Sequence, residues 1–156
     1  MIVVAADHGG VALKRVVLDE LAARGEPAAD LGTTDETSVD YPDYARAVAE
    51  RVARGDATRG VLVCTSGIGM AITANKFPGV RAALVHDVAG ARSAREHNDA
   101  NVLVLGGSVV PPPLAREILG VFLATAFAGG RHQRRVDRIG AIETELGLRR
   151  PAGALR

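Results

Sequence analysis

Tryptophan is absent from this chain, and aromatic residues of all kinds make up only 3% of it. Proteins that grip nucleic acid by stacking need aromatic platforms, so that class of partner is not expected. The formal net charge is +1. No global field therefore draws the protein to nucleic acid or to an acidic membrane surface, although local clusters can still act. A single cysteine, Cys64, rules out an internal disulfide and fits a reducing compartment. The N-terminal MIVVAADHGG carries no basic segment and no long apolar stretch of the kind that marks a secretion signal. No apolar run approaches the ~18 residues of a membrane span. The expectation is a cytoplasmic protein with neither membrane nor nucleic acid as partner.

What is present is apolar residue in quantity. Of 156 residues, 47% are hydrophobic, which suits one domain with one core that needs no metal or disulfide to hold it. The apolar runs alternate in period. Ile2 to Ala6 predicts a buried strand. Leu13, Val16, Val17 and Leu21 recur at helical spacing, and Gly25 is placed to end that helix. A weak strand is predicted over 28–31, and a polar loop over 32–42. A helix from about Asp43 to Arg54 carries Val48 and Val52 on one face. Further strands are predicted over 60–63, 81–85 and 101–105. Between them lie a short helix reaching Lys76, ended by Pro78-Gly79, and a helix capped by Asp87 that runs to about Asn98. Pro111 to Pro113 precede a helix through Ile118, Val121 and Phe122. Strands alternating with helices indicate right-handed βαβ units around a parallel sheet. The expected fold is therefore α/β, a single-domain, Rossmann-like three-layer sandwich with a five-stranded parallel sheet. Val136, Ile139, Ile142 and Leu146 form an apolar stripe on a last helix that no strand follows. Such a helix either packs on its own sheet or crosses to a partner. The domain is expected over residues 1–148, with 149–156 a frayed tail.

The stretch Gly60 to Phe77, GVLVCTSGIGMAITANKF, concentrates the chemistry. A buried strand delivers Cys64 to its C-terminal end, where open α/β sheets bind ligands. Thr65, Ser66, Gly67, Ile68 and Gly69 follow and open a helix, so free backbone N–H groups and the positive end of a dipole lie beside a thiol and two hydroxyls. A lone buried cysteine is commonly a small apolar filler. At a strand end beside a helix start, it is also placed to act as nucleophile or general base. Gly67-Ile68-Gly69 begins like a dinucleotide fingerprint, with Asp87 about 20 residues on. The third glycine position is Ile72, however, and Pro78-Gly79 cuts the helix short. Asp7 and His8 follow the first strand, and His97 and Asn98 end the helix before the fifth. Loops around a parallel sheet can converge on one crevice, which makes two loop histidines suggestive. His8, Cys64 and His97 lack any compact ligand spacing, so no metal is expected. Arg131-His132-Gln133-Arg134-Arg135 is either a solvated basic face, a weak nucleic-acid patch or a clamp for one phosphate. The last suits the arginine fork, and Arg131, Arg135 and Arg138 share a helical face.

Together these segments resemble the type B ribose-5-phosphate isomerases, within the wider family that includes galactose-6-phosphate isomerase subunits. The resemblance rests on Asp7-His8-Gly9-Gly10, Asp40-Tyr41-Pro42, Cys64-Thr65-Ser66-Gly67-Ile68-Gly69, Ala74-Asn75-Lys76, Glu96-His97-Asn98-Asp99 and the Arg131 to Arg135 run, in that order over nearly the whole chain. It implies an aldose–ketose isomerase of carbohydrate metabolism, in the pentose phosphate pathway, acting through an enediolate without metal or organic cofactor. Cys64 would be the base between C1 and C2, and Ser66 the hydroxyl that assists it. A subclass of the family carries a glutamate where this chain has Met70. The amides of Gly67, Ile68, Gly69 and Met70 would hold the enediolate oxygen. His97 would help to open the furanose ring, with Asp7 on the ring-oxygen side, and Asn98 would bond the developing oxyanion. Tyr41 falls among the substrate-binding positions. His8, Arg131 and Arg135 would bind phosphate, the arginines reaching into a neighbouring subunit's site. The implied partners are a small phosphorylated sugar and a second copy, as a homodimer or a dimer of dimers. Four- and six-carbon sugar phosphates are alternative substrates, and a non-catalytic sugar-phosphate-binding subunit is an alternative role. Ser108 stands where the family often has a phosphate-contacting arginine, from which weaker phosphate binding is expected.

Overall fold

The computed structural model describes residues 1–148; the expected frayed tail, 149–156, lies outside them. Five strands, β1 (Ile2–Ala6), β2 (Ala28–Asp30), β3 (Arg59–Cys64), β4 (Ala82–Leu84) and β5 (Val102–Gly106), form one parallel sheet in the order β2-β1-β3-β5-β4. Six helices connect and flank them: α1 (Val11–Ala23), α2 (Tyr41–Arg54), α3 (Ile68–Ala74), α4 (Val88–Asn98), α5 (Pro112–Ala124) and α6 (Arg131–Glu145).

Strands β1 and β5, and β3 after Arg59, are buried at every position because both faces are covered. Val4, Val61, Val63, Leu103 and Leu105 pack with α1, α4 and α5 on one side. Val3, Ala5, Leu62, Val102 and Val104 pack with α2 and α3 on the other. Successive strand residues point to opposite faces, so β1 and β3 feed both layers. Each fully buried valine or leucine contributes about 1.5–3 kcal/mol. The result is the expected Rossmann-like α/β sandwich. Among the described residues, no helix is long and apolar enough to cross a membrane.

Element ends differ from expectation in two informative places. Helix α2 begins at Tyr41, not Asp43, because Pro42 falls in the first turn, where its fixed φ suits a helix. Helix α3 stops at Ala74. There the Asn75 side chain pairs with the backbone of Ala82 through Nδ2 to O (2.9 Å) and N to Oδ1 (2.8 Å), turning the chain toward β4.

Helix α6 runs along the N-terminal edge of its own sheet, where Glu143 Oε1 accepts from the Gly79 amide at 2.8 Å. Cavities of about 600 and 620 Å³ lie beside it, both lined by Arg81 and Ile139. Its stripe stays open, with Ile142 55% and Leu146 69% exposed. The expected crossing to a partner is therefore not a feature of the single chain.

Candidate active site

The chain leaves β1 toward β2 on one side and later returns to place β3 on the other. At such a reversal the loops beyond the strand ends part and leave a crevice. Ala6 pairs with Val63 in register, so the next residues, Asp7 and Cys64, come side by side at its mouth. The Asp7 amide donates to Val63 O at 3.2 Å. Asp7 is 6% exposed and caps the 3-10 turn His8–Gly10 by accepting the Gly9 amide at Oδ1, 3.0 Å. The turn lies flat on β3 because it has no side chains there: a Cβ at Gly10 would sit 2.5 Å from the Val63 carbonyl oxygen. His8 accepts the Val39 amide at Nδ1, 3.2 Å away, which leaves Nε2 carrying the ring proton.

Cys64 ends β3. Its sulfur is buried on the α2–α3 face and accepts the Gly67 amide at 3.1 Å. That contact requires Gly67 at φ 80, a conformation that glycine adopts without a Cβ clash. Ser66 Oγ accepts the Ile68 amide at 3.3 Å. Two of the four amides expected to hold an oxyanion are thus engaged within the turn. Those of Gly69 and Met70, in the open first turn of α3, have no acceptor among the described residues. The Met70 side chain is wholly buried, so only its backbone faces the turn. The Tyr41 ring lies over Gly69, where a Cβ would come within 2.6 Å of Cε2. Ser108 secures the same turn: its amide and Oγ both donate to the Thr65 carbonyl, at 3.0 and 2.8 Å.

The other site residues lie elsewhere. Helix α4 runs antiparallel to the strands, so its end carries His97 and Asn98 to the N-terminal edge. Strands of five or six residues, rising about 3.3 Å each, hold the two edges roughly 17 Å apart. His8 and His97 therefore do not share a crevice within one chain, contrary to the expectation from their loop positions. His8 follows a strand and His97 precedes one, and only the loops that follow strands gather at the C-terminal edge. The start of α6 joins His97 there. The His97 and His132 rings stack with centroids 4.3 Å apart and an angle of 9°. Ser93 Oγ meets His97 Nδ1 at 3.1 Å. Arg131 Nε makes a long contact to His132 Nε2, 3.4 Å, and both Arg131 and Arg135 are exposed. Asn98 is exposed, and its carbonyl accepts Arg81 Nε at 3.0 Å.

His132 was not among the expected site residues. Its signal was an imidazole inside a basic run at a helix start. It is 9% exposed, and its Nδ1 is buried without a partner among the described residues. The cost of removing its cation from water, then the neighbouring His97, Arg131 and Arg135, push its pKa below the ordinary 6.5, while Glu96 opposes them. A group that binds fewer protons folded than unfolded confers stability that is complete above its ordinary pKa and declines as pH falls through the lowered value. The urea midpoint is expected to drop as pH falls below about 6.5, and His132→Phe to flatten that drop. An identical pH dependence in the variant would remove His132 as its source.

Residues 2–139 match the Ribose/Galactose Isomerase family. Ribose-5-phosphate isomerase B of Escherichia coli is 44% identical over 137 residues, 88% of this chain and 92% of that protein. The solved structure of Clostridium thermocellum Ribose-5-Phosphate Isomerase B superposes with a TM-score of 0.91 at 48% identity, covering 93% of this chain and 98% of that one. Ribose-5-phosphate Isomerase B from Mycoplasma genitalium, solved with bound ribulose-5-phosphate, gives 0.89 at 40% identity over 92% and 96%. With a parallel sheet that opens between β1 and β3, and with agreement this close along nearly its full length, the chain belongs to the ribose/galactose isomerase family.

Proposed function

We propose that this protein is an aldose–ketose isomerase that interconverts ribose 5-phosphate and ribulose 5-phosphate, with Cys64 as the base. The observation that carries the reading is the meeting of Cys64, Asp7 and two open amides at one strand-end crevice. The ribulose 5-phosphate held by the Mycoplasma genitalium relative supports the choice of sugar.

A hydrogen beside a carbonyl is weakly acidic, so the reaction needs a base near C2 and donors near O1. In the open-chain aldose the Cys64 thiolate takes the proton from C2. The C–H electron pair becomes the C1–C2 double bond, and the carbonyl pair moves onto O1. The resulting enediolate oxygen is held by the Gly69 and Met70 amides; such pre-aimed donors contribute about 3–4 kcal/mol each. Return of the proton to C1, with transfer of the 2-hydroxyl proton to O1, yields the ketose. No electrons are gained or lost. Ser66 assists the sulfur, Asp7 faces the ring oxygen, Tyr41 lies along the sugar and His8 donates from Nε2 to phosphate. Phosphate, remote from the reacting carbons, supplies binding energy for alignment.

His97, Asn98, Arg131 and Arg135 act in this reading from a second copy. Their place at the opposite edge supports that assignment, since a twofold pair can bring the N-terminal edge of one subunit to the C-terminal edge of the other. The exposed stripe of α6 is a surface for such pairing.

The test is turnover by purified protein in deuterated water without additives. Ribulose 5-phosphate carrying deuterium at C1, and deuterium at C2 of recovered ribose 5-phosphate, are expected. Binding without product or exchange would mark a non-catalytic subunit. A panel of four-, five- and six-carbon aldose phosphates identifies the preferred sugar; one carbon unit is worth about 1–3 kcal/mol of discrimination. A faster six-carbon substrate would replace the pentose assignment.

A further inference from the structure

We infer that Lys14 is a positioning residue for His8, setting its tautomer through the loop that faces it. The inference rests on the reading of His8 as the phosphate donor. Lys14 lies in α1, directly after the turn that carries His8, and its side chain is 2% exposed. A buried ammonium persists only with its donors matched, and this one has three acceptors. Nζ donates to Asp30 Oδ1 and Oδ2 at 2.6 and 2.7 Å and to the Thr33 carbonyl at 2.6 Å. Asp30 Oδ1 also takes the Gly32 amide at 2.9 Å.

The segment so held is clamped to the end of β1. The Ala6 amide donates to Gly32 O and the Thr33 amide to Ala6 O, both at 2.6 Å. Residues 34–38 then run exposed, with a local turn in which Asp35 Oδ1 accepts the Thr37 amide at 2.8 Å and one contact from Arg15 to Thr34 O at 3.3 Å. Val39 follows, and its amide meets His8 Nδ1 at 3.2 Å. A backbone N–H can bond that nitrogen only while it keeps its lone pair. The Val39 contact therefore selects the Nε2–H form, the neutral tautomer whose Nε2 can donate to a phosphate oxygen. Lys14 joins the two segments that make this contact, since α1 follows His8 and the clamped 30–33 segment leads to Val39. The hydrogen bonds of Lys14 Nζ go to the 30–33 segment.

The experiment compares the wild-type protein with Lys14→Met, which keeps chain length and removes the charge. Asp30 is a third exposed, so water can donate to its freed carboxylate. KM for ribose 5-phosphate is expected to rise about tenfold, with kcat held within about twofold, as loss of a binding contact should read. In nitrogen NMR of the unliganded protein, His8 is expected to pass from a single Nε2–H tautomer to a mixture. A folded Lys14→Met protein with unchanged KM and an unchanged His8 tautomer overturns the inference, as does a fall in kcat alone. If Lys14→Met does not fold, Lys14→Met/Asp30→Asn removes both charges and is measured instead. Failure of both to fold would make the pair a requirement of folding, and also overturns the positioning role. The NMR readout needs no turnover: a wild-type protein inert toward ribose 5-phosphate would sink the isomerase reading, while the tautomer comparison still decides this one.

Discussion

Cys64→Ala is expected to leave a folded protein whose kcat for ribose 5-phosphate falls by about 10³-fold, within the range for loss of a general base. The substitution removes one sulfur from the end of β3, where the residue sits 5% exposed against the α2–α3 layer. By analogy with other small core truncations it should cost about 1–2 kcal/mol. Secondary structure by circular dichroism should be unchanged. KM should move little, because the phosphate and hydroxyl contacts of this reading do not involve sulfur. The expected pattern is therefore a fall in kcat and in kcat/KM together, the signature of an interaction made in the transition state. Activity within about tenfold of wild type would show that another group takes the proton from C2.

The second large effect comes from mixing inactive proteins. Cys64→Ala damages the C-terminal edge of a subunit, and His97→Gln damages the N-terminal edge. If each site draws one edge from each of two copies, either homodimer has two broken sites. The heterodimer has one site with both defects and one with neither. After random exchange of an equal mixture, half the dimers are mixed and half of their sites are intact, so about a quarter of wild-type activity should return. Sites built within one chain would give no recovery on mixing. A dimer of dimers leaves the arithmetic unchanged as long as each site spans two copies. The expectation follows from geometry: α4 runs against the strands and ends at the edge opposite Cys64.

Much of this molecule is written in local pattern. The apolar runs at 2–6, 60–63 and 102–105 lie in strands covered on both faces, and the helical spacing between them is that of a parallel sheet. The turn after Cys64 was legible as well, because a thiol followed by serine and two glycines at a strand end has few structural uses. Helix boundaries were less so. Asn75 ends α3 by bonding Ala82, seven residues away, and no spacing rule near Lys76 reveals that.

Composition and periodicity alone determined an α/β protein with a thiol at a strand end beside a glycine turn, because burial and backbone geometry act over a few residues at a time. Tertiary structure decided which chemistry meets which. Asp7 lies beside Cys64 because β1 and β3 pair in register, and the Val39 amide meets His8 across a loop whose start carries the Lys14–Asp30 ion pair. His97 and His132 stack at the far edge, away from the sulfur. Those contacts join segments tens of residues apart, and their partners exist only once strand order and helix direction have been set in three dimensions.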